Sequence, residues 1–343
     1  LETKEMRIEK ASDDSFLKLN YGQKGLYISV YDEPLLEKVF EAVKARKLSG
    51  IDTWGVEQDL FMLTRSARIP LQKYLDAIQN YFLAAEYPAN EGIIGHLIWL
   101  HTMTYGSNQF EKVRQVMEKF ANKIMANLGF EARPSDTPID KSLRSNALLC
   151  LGLSGNVHAV EFAKKQFEKE LSGRQIDKDL KSKIYELAAW YGDGRTFEKM
   201  KNKYINIKEA EPDESIRLLR ALAFFRDKEL VRKAFGLAVS KYVRLQDKYV
   251  IPAYSTYNPE SFRFLVEWTF TNWQKLKQQY PEGTMMLSRF VANLSMLKSK
   301  KDLERVSAFF SKKENLRDDI KMEVKKTIER IKANIAFAKA NGI

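Results

Sequence analysis

The chain has 343 residues, of which 44% are hydrophobic and 30% are charged, and its formal net charge is +12 at pH 7. This size can bury a large core, and this composition excludes an intrinsically disordered chain. The longest nearly apolar stretch, residues 93–103, is about half of the roughly 20 residues that a helix needs to cross a bilayer. We therefore predict a soluble globular protein without a membrane partner.

Residues 1–31 differ in pattern from the rest of the chain. Residues 6–9, 16–19 and 26–31 are short β-rich runs, separated by aspartates and glycines. This pattern predicts a few β-strands, but three strands alone make a poor domain. We therefore expect residues 1–31 to be the terminal strands of a preceding domain, and residues 32–343 to form a helical domain.

From residue 33 onward the hydrophobic pattern is helical. Leu36, Val39, Phe40 and Val43 fall on one face, and the same spacing recurs near the C-terminus. Clusters of proline, glycine, asparagine and aspartate divide the chain into about fourteen to sixteen segments of helical length. A spacing of roughly 35 to 45 residues per helix pair is typical of HEAT or armadillo repeats. We predict a mainly α fold, a HEAT/armadillo-like superhelix of stacked helical hairpins preceded by a few β-strands.

The single cysteine and the first residues bear on the cellular compartment. One cysteine, Cys150, excludes an intramolecular disulfide framework and is typical of a reducing compartment, so we predict a cytoplasmic location. Cys150 lies in an apolar run and is expected to be a buried, inert thiol. Residues 1–5 are largely charged and include no initiator Met, so we predict no signal peptide and expect a fragment or a processed product.

No motif in the sequence carries independent chemistry. A helical zinc site pairs two histidines at i and i+4, with a glutamate after the first. His96 and His101 are five residues apart and neither precedes a glutamate. Gly22-Gln-Lys-Gly25 lacks the Lys-Ser/Thr ending of a phosphate-binding loop. We therefore predict structural histidines, no metal or other cofactor held by this chain, and no catalytic residue.

The net positive charge leaves another class of function open. The densest basic runs, residues 298–301 and 321–326, alternate with acidic residues such as Asp302 and Glu323. Mixed charges at helical spacing favour a solvated face over a track for phosphates. We predict no nucleic-acid partner, but a free-standing helical-repeat scaffold that binds a protein or nucleic acid is the alternative function.

Several short motifs follow one another along nearly the whole chain. Residues 19–32 read Leu-Asn-Tyr-Gly-Gln-Lys-Gly-Leu-Tyr-Ile-Ser-Val-Tyr-Asp, and the last third contains Asn258-Pro259 and Asn272-Trp273. Glu329-x-Ile-x-x-Asn-Ile-x-Phe337 closes the series. In order and spacing these motifs resemble the C-terminal helical domain of the zinc aminopeptidases, a family that includes aminopeptidase N, the endoplasmic reticulum aminopeptidases and the archaeal tricorn-interacting factors.

The resemblance implies a fold and a function. In that family the helical domain follows a β-sandwich and curves into a concave bowl, which covers the active site and limits access to peptides. The zinc ion belongs to a separate catalytic domain with His-Glu-x-x-His and Gly-x-Met-Glu-Asn motifs, and neither motif occurs in this sequence. The chain is therefore expected to be inactive alone, with a peptide substrate and its own catalytic domain as partners.

The resemblance also indicates candidate peptide-binding residues around the Asn258-Pro259 turn. Tyr254, Tyr257 and Arg263 are expected to line the approach to the catalytic cleft, and Glu267 is expected to approach that cleft from the following helix. A basic interior would attract peptide carboxylates. Arg144 is a further candidate for binding such a carboxylate. The full set of candidates is Arg144, Tyr254, Tyr257, Arg263 and Glu267.

Overall fold

The computed structural model describes residues 16–207 and 211–343, and these residues form sixteen α-helices joined by short turns and 3-10 segments. The predicted mainly α fold is confirmed, and the number of helices agrees with the pattern of helix-breaking residues. Local signals start several helices. Asp32 and Ser49 accept hydrogen bonds from the first turns of their helices, and Thr137 forms a reciprocal capping box with Asp140.

The helices form two layers. Each even-numbered helix packs against the next even-numbered helix, which produces one continuous inner row. The inner row consists of α2 (Gly50–Arg65), α4 (Ala89–Thr104), α6 (Pro138–Leu153), α8 (Lys181–Trp190), α10 (Pro212–Leu222), α12 (Val250–Tyr254), α14 (Met286–Asn293) and α16 (Lys321–Ala340).

The odd-numbered helices form the outer layer. From α5 onward, each of them packs on the even-numbered helix that follows it, so the repeating unit is a helical hairpin. The outer layer consists of α1 (Glu33–Lys44), α3 (Leu71–Asn80), α5 (Phe110–Leu128), α7 (Val157–Leu171), α9 (Gly194–Ile207), α11 (Lys228–Ala238), α13 (Phe262–Gln279) and α15 (Lys300–Ser311). Two such layers, stacked hairpin on hairpin, form the curved superhelix of a helical-repeat bowl.

Buried polar side chains join successive hairpins. Asn258, which is fully buried, donates from Nδ2 to the carbonyl oxygens of Ala223 (3.1 Å) and Phe225 (2.7 Å), 35 and 33 residues earlier. Asn334 donates in the same way to Ser295 (2.8 Å) and Leu297 (3.1 Å), 39 and 37 residues earlier. These separations match the predicted repeat length. The motif residues therefore satisfy the free carbonyl groups at the end of the preceding hairpin.

The last helix returns to the first hairpins and closes the superhelix. The Phe337 ring on α16 lies 5.3 Å from the Trp99 ring on α4. Just beyond α16, Asn341 accepts a hydrogen bond at Oδ1 from the backbone N–H of Leu71 (2.8 Å) and at its carbonyl oxygen from Gln109 (3.2 Å). These contacts join the two ends of the stack, so the inner row bends back on itself.

The segment before α1 departs from the prediction. Residues 16–19 and 26–31, expected as strands, contain no strand, and residues 6–9 lie outside the described residues. A strand needs a partner for its backbone groups, and the described residues supply none here. Instead the segment packs on α2: the backbone N–H of Gly22 donates to Asp52 (2.7 Å), and a left-handed backbone at Asn20 (φ 53°) interrupts the extended run.

The Asn258→Ala substitution tests the hydrogen bonds that buried side chains form between hairpins. It removes the donor to two buried carbonyl oxygens, and we expect the free energy of unfolding to fall by about 2–3 kcal/mol. Urea denaturation followed by circular dichroism measures this loss. The matched control is Asn122→Ala on the exposed face of α5, which should change the free energy by less than about 0.5 kcal/mol. Equal effects of the two substitutions would contradict the assigned role of Asn258.

Candidate functional site

A cavity opens on the inner row where the superhelix bends back. It has a volume of about 260 Å³, and α4, α6 and α8 line one side. The opposite wall consists of Phe224, Tyr254 and Tyr257. Phe224 follows α10, which packs on α8, whereas the turn with Tyr254 and Tyr257 lies about 155 residues after α4 and meets it across the bend. We refer to this feature as the inner cavity.

The turn that carries the two tyrosines is held from several directions. Asn258 anchors it to the end of α10, as described above. Thr102 on α4 donates to the carbonyl oxygen of Tyr257 at 3.5 Å, and Tyr105 donates to Glu260 at 3.1 Å. These contacts join positions 155 residues apart. They fix the position of the aromatic wall relative to α4.

The aromatic wall is a short stack of rings. Tyr257 lies nearly parallel to Phe224, with centroids 6.3 Å apart and planes 12° apart, and it lies 6.1 Å from Tyr254. Tyr257 is 44% exposed, so part of its surface is open to a ligand. The Arg220 guanidinium packs on Tyr254 at 4.7 Å. Burial raises the pKa of Tyr254, which therefore stays neutral at physiological pH.

The helical wall contributes two carboxylates and one ammonium group. Glu186 on α8 is 1% exposed, and Lys183 donates to its Oε2 at 3.0 Å. Its second oxygen, Oε1, has no hydrogen-bond partner within the described chain. Glu91 on α4 accepts hydrogen bonds from two neutral groups, Ser142 (3.0 Å) and Asn146 (2.9 Å). The lining of this cavity is therefore not basic, contrary to the expectation drawn from the net charge.

The structure places the candidate residues at different locations. Tyr254 and Tyr257 meet at the inner cavity. Glu267 lies on α13 in the outer layer, where its exposed carboxylate pairs with Arg305. Arg263 is the second residue of the same helix, and its side chain lies outside the described part of the structure. The proposed site therefore retains only the two tyrosines from the predicted set.

Arg144 occupies a buried position with a full set of partners. It is 1% exposed and forms an ion pair with Asp136 at 2.7 Å. It also donates to the carbonyl oxygens of Gly129 and Leu128, both at 3.1 Å. These bonds attach the start of α6 to the end of α5. Arg144 is not among the residues that line the inner cavity, and the proposed site does not include it.

Sequence reasoning missed Glu186, Lys183, Glu91 and Gly95, which all line the inner cavity. The sequence contains a weak indication for two of them, Glu186 and Gly95. Glu186 is followed by Leu-Ala-Ala-Trp, so a carboxylate stands at the start of an apolar run on a helix that is otherwise buried. Gly95 interrupts the apolar stretch of α4 without a turn, and a glycine inside a helix often marks a close approach or an open space.

The histidines have structural environments. The His96 ring stacks on Phe61 at 3.6 Å, and its Nδ1 lies 2.8 Å from Glu57. His101 is 1% exposed and packs among aromatic rings that include Phe110. Across residues 16–207 and 211–343, no group of three or more histidine, cysteine, aspartate or glutamate side chains is placed to hold a metal ion.

Cys150 is fully buried, as predicted, and burial raises the pKa of its thiol. A thiol in this environment is a poor nucleophile because its thiolate form is disfavoured.

Within residues 16–207 and 211–343, every helix is too short or too polar to span a bilayer.

His101 makes stability depend on pH. Its pKa falls from 6.5 to about 4, first because burial disfavours the charged ring and then because Arg114 and Arg226 lie nearby. The folded pKa lies below the unfolded one, so this contribution is complete above the unfolded pKa and is lost as the pH falls from 6.5 towards about 4. We expect His101 alone to remove about 2 kcal/mol of the free energy of unfolding between pH 7 and pH 5.

Urea denaturation at the two pH values measures this loss. The His101→Phe variant should show a smaller difference between the two pH values by that amount, because the unfolded chain no longer gains the proton. The exposed His158 provides the control, and His158→Gln should leave the difference unchanged. An unaltered difference in His101→Phe would contradict the assignment.

Comparison with known proteins agrees with this architecture. A family model described as the ERAP1-like C-terminal domain matches residues 16–333. The match begins within the segment before α1 and extends into α16, so it covers nearly all of the described chain.

Several curated relatives are aminopeptidases. The chain is similar to aminopeptidase 2 of Candida albicans, with 26% identity over 92% of this chain and 34% of the relative. It is similar to the alanine/arginine aminopeptidase of Saccharomyces cerevisiae (25%; 88% and 35%) and to the probable aminopeptidase 2 of Sulfurisphaera tokodaii (24%; 96% and 39%). The chain therefore spans little more than a third of the length of these relatives.

Proposed function

Because the chain belongs to the ERAP1-like C-terminal domain family, we propose that it is the substrate-enclosing domain of a zinc-dependent aminopeptidase that removes N-terminal residues from peptides. In this role the bowl controls access: extended peptides enter, whereas folded proteins are too large. The partners are then the peptide substrate and the catalytic domain of the same enzyme. We retain a cytoplasmic location as part of the proposal.

The inner cavity is the observation that carries this proposal. It combines an open aromatic wall, two carboxylates and one ammonium group on the concave side of a closed superhelix. A concave surface with a few converging polar groups is the usual form of a ligand site. Enclosure by such a surface also excludes water and positions a substrate for hydrolysis in a neighbouring domain.

A second observation supports attachment to a further domain. Residues 21–30 expose the densest concentration of large apolar side chains in the described chain, and contiguous exposed apolar surface commonly marks an interface. Together with the family's domain order, this surface supports the proposal that residues 1–31 are the end of a preceding β-sandwich. The exposed residues are Tyr21, Leu26, Tyr27, Ile28 and Val30.

The described residues do not fit a zinc site. His96 stacks on Phe61, His101 is buried and His158 is exposed, and no group of three metal-binding side chains occurs in residues 16–207 and 211–343. The proposal therefore places the metal and its chemistry in the catalytic domain. This chain contributes binding, enclosure and orientation of the peptide.

The first test concerns the chain alone. We expect it to release no measurable product from aminoacyl-coumarin substrates, even with added zinc, because its described residues form no metal site. The measurement is fluorescence of the released coumarin, with an aminopeptidase as the positive control. Robust turnover that survives repurification would contradict the proposed division of labour.

The second test fills the inner cavity in the full-length enzyme. A Cβ added at Gly95 has no atom within 4 Å, so Gly95→Trp places an indole in the cavity without displacing backbone. We expect the KM for peptides to rise about tenfold, a loss of roughly 1.4 kcal/mol in binding. We expect kcat/KM for a single-residue coumarin substrate to change little, because that substrate does not reach the cavity.

The matched control is Gly236→Trp. Gly236 lies on α11 in the outer layer, and a Cβ there also has no atom within 4 Å. Both substitutions replace an exposed helical glycine by tryptophan, so they differ mainly in the surface that they cover. An unchanged peptide KM in Gly95→Trp would overturn the proposed role of the cavity.

A further inference from the structure

Glu186 on α8 differs in its hydrogen bonding from Glu214, a buried carboxylate on the neighbouring inner helix α10. Glu214 on α10 is 3% exposed, and Lys181, Lys203 and Tyr185 together saturate its carboxylate. Glu186 is equally buried, yet only its Oε2 is bonded, and Oε1 has no partner within the described chain. An unpaired buried carboxylate oxygen costs free energy. Glu186 also lines the inner cavity, and an unpaired buried oxygen there needs an explanation, of which a donor supplied by a ligand is one.

We propose that the inner cavity is a subsite for a positively charged side chain, arginine or lysine, of the peptide that the bowl encloses. The inference rests on the proposed function and specifies the substrate chemistry of that site. Glu186 and Glu91 supply two negative charges to the lining, and Lys183 supplies one positive charge. The whole chain has a net charge of +12 and would repel a cation at long range. The net negative charge of the cavity lining attracts a cation at short range.

The aromatic wall suits the same ligand. A guanidinium or ammonium group binds favourably over the face of a tyrosine or phenylalanine ring. Arg220 already occupies such a position on Tyr254, and it is not among the residues that line the cavity. Tyr257 retains an exposed surface and remains available. A cation bound between Tyr257 and Glu186 combines stacking with a charge-assisted hydrogen bond.

The size of the cavity favours one side chain over a larger ligand. Its volume of about 260 Å³ falls slightly below the roughly 300–1,000 Å³ of sites for drug-sized molecules. One long side chain fills such a space, and the peptide backbone then lies along the inner row. The subsite therefore discriminates among peptide residues by the charge of one side chain.

Calorimetric titration of the full chain with three otherwise identical peptides tests the inference. One position of the peptide carries arginine, citrulline or norleucine. Citrulline keeps the shape of arginine and part of its N–H donors, but it is uncharged and a carbonyl oxygen replaces one nitrogen; norleucine has no donor. We expect the arginine peptide to bind about tenfold more tightly than the citrulline peptide, and the norleucine peptide to bind most weakly.

Two substitutions should change this preference in opposite directions. Glu186→Gln removes the charge that the ligand meets, and we expect it to abolish the preference for arginine over citrulline. Lys183→Met removes the competing ammonium group, and we expect it to tighten arginine binding several-fold. The control Glu267→Gln changes an exposed carboxylate in the outer layer and should have no effect. Loss of folding alone would not move Glu186→Gln and Lys183→Met in opposite directions.

The outcomes separate this inference from the proposed function. Equal affinity for arginine and citrulline peptides, or no saturable binding up to about 1 mM, roughly 4 kcal/mol of binding free energy, would overturn the cationic subsite. The enclosing role would still stand if Gly95→Trp raised the peptide KM of the full-length enzyme. An arginine preference that Gly95→Trp abolishes in the titration supports the subsite.

Discussion

The architecture depends on the contact between its last helix and its first hairpins. Phe337 on α16 packs against Trp99 on α4, and Asn341 bonds to Leu71 at the start of α3. An open helical solenoid contacts only its neighbours in sequence, so its curvature is free to vary. Here, closure fixes the curvature. The walls of the inner cavity consequently keep a defined separation although they come from distant parts of the chain.

Buried polar side chains also fix the relative positions of neighbouring hairpins within the stack. Asn258 and Asn334 each bond two carbonyl oxygens of the preceding hairpin, and Trp273 donates to the carbonyl oxygen of Asn315 at 2.9 Å. These joints satisfy groups that helix ends leave unpaired, and they set the register between neighbouring hairpins. The residues on which the resemblance rests, Asn258, Trp273 and Asn334, are thus structural: they join hairpins and do not line the inner cavity.

The inner cavity also shows how local charge departs from composition. A chain with twelve excess positive charges presents two carboxylates in the lining of the inner cavity. Glu91 is held by neutral donors from α6, and Glu186 by one lysine of its own helix. Elsewhere in the inner row, the buried Glu214 is fully paired. The difference distinguishes a fully paired buried carboxylate, Glu214, from one that keeps an unpaired oxygen beside the cavity, Glu186.

The sequence by itself determined the helical class, the repeat length and the family, because periodicity and helix-breaking residues act locally and the motif residues keep a fixed spacing. It indicated Tyr254 and Tyr257 beside the Asn258-Pro259 turn, and the structure puts both side chains at the inner cavity. It did not determine the state of residues 16–31, because a strand forms only with a partner, nor the separation of Glu267 from that turn across two layers. Only the tertiary structure decided that Glu186 and Tyr257 line one cavity, because this arrangement depends on how the helices of the inner row pack and not on any local sequence pattern.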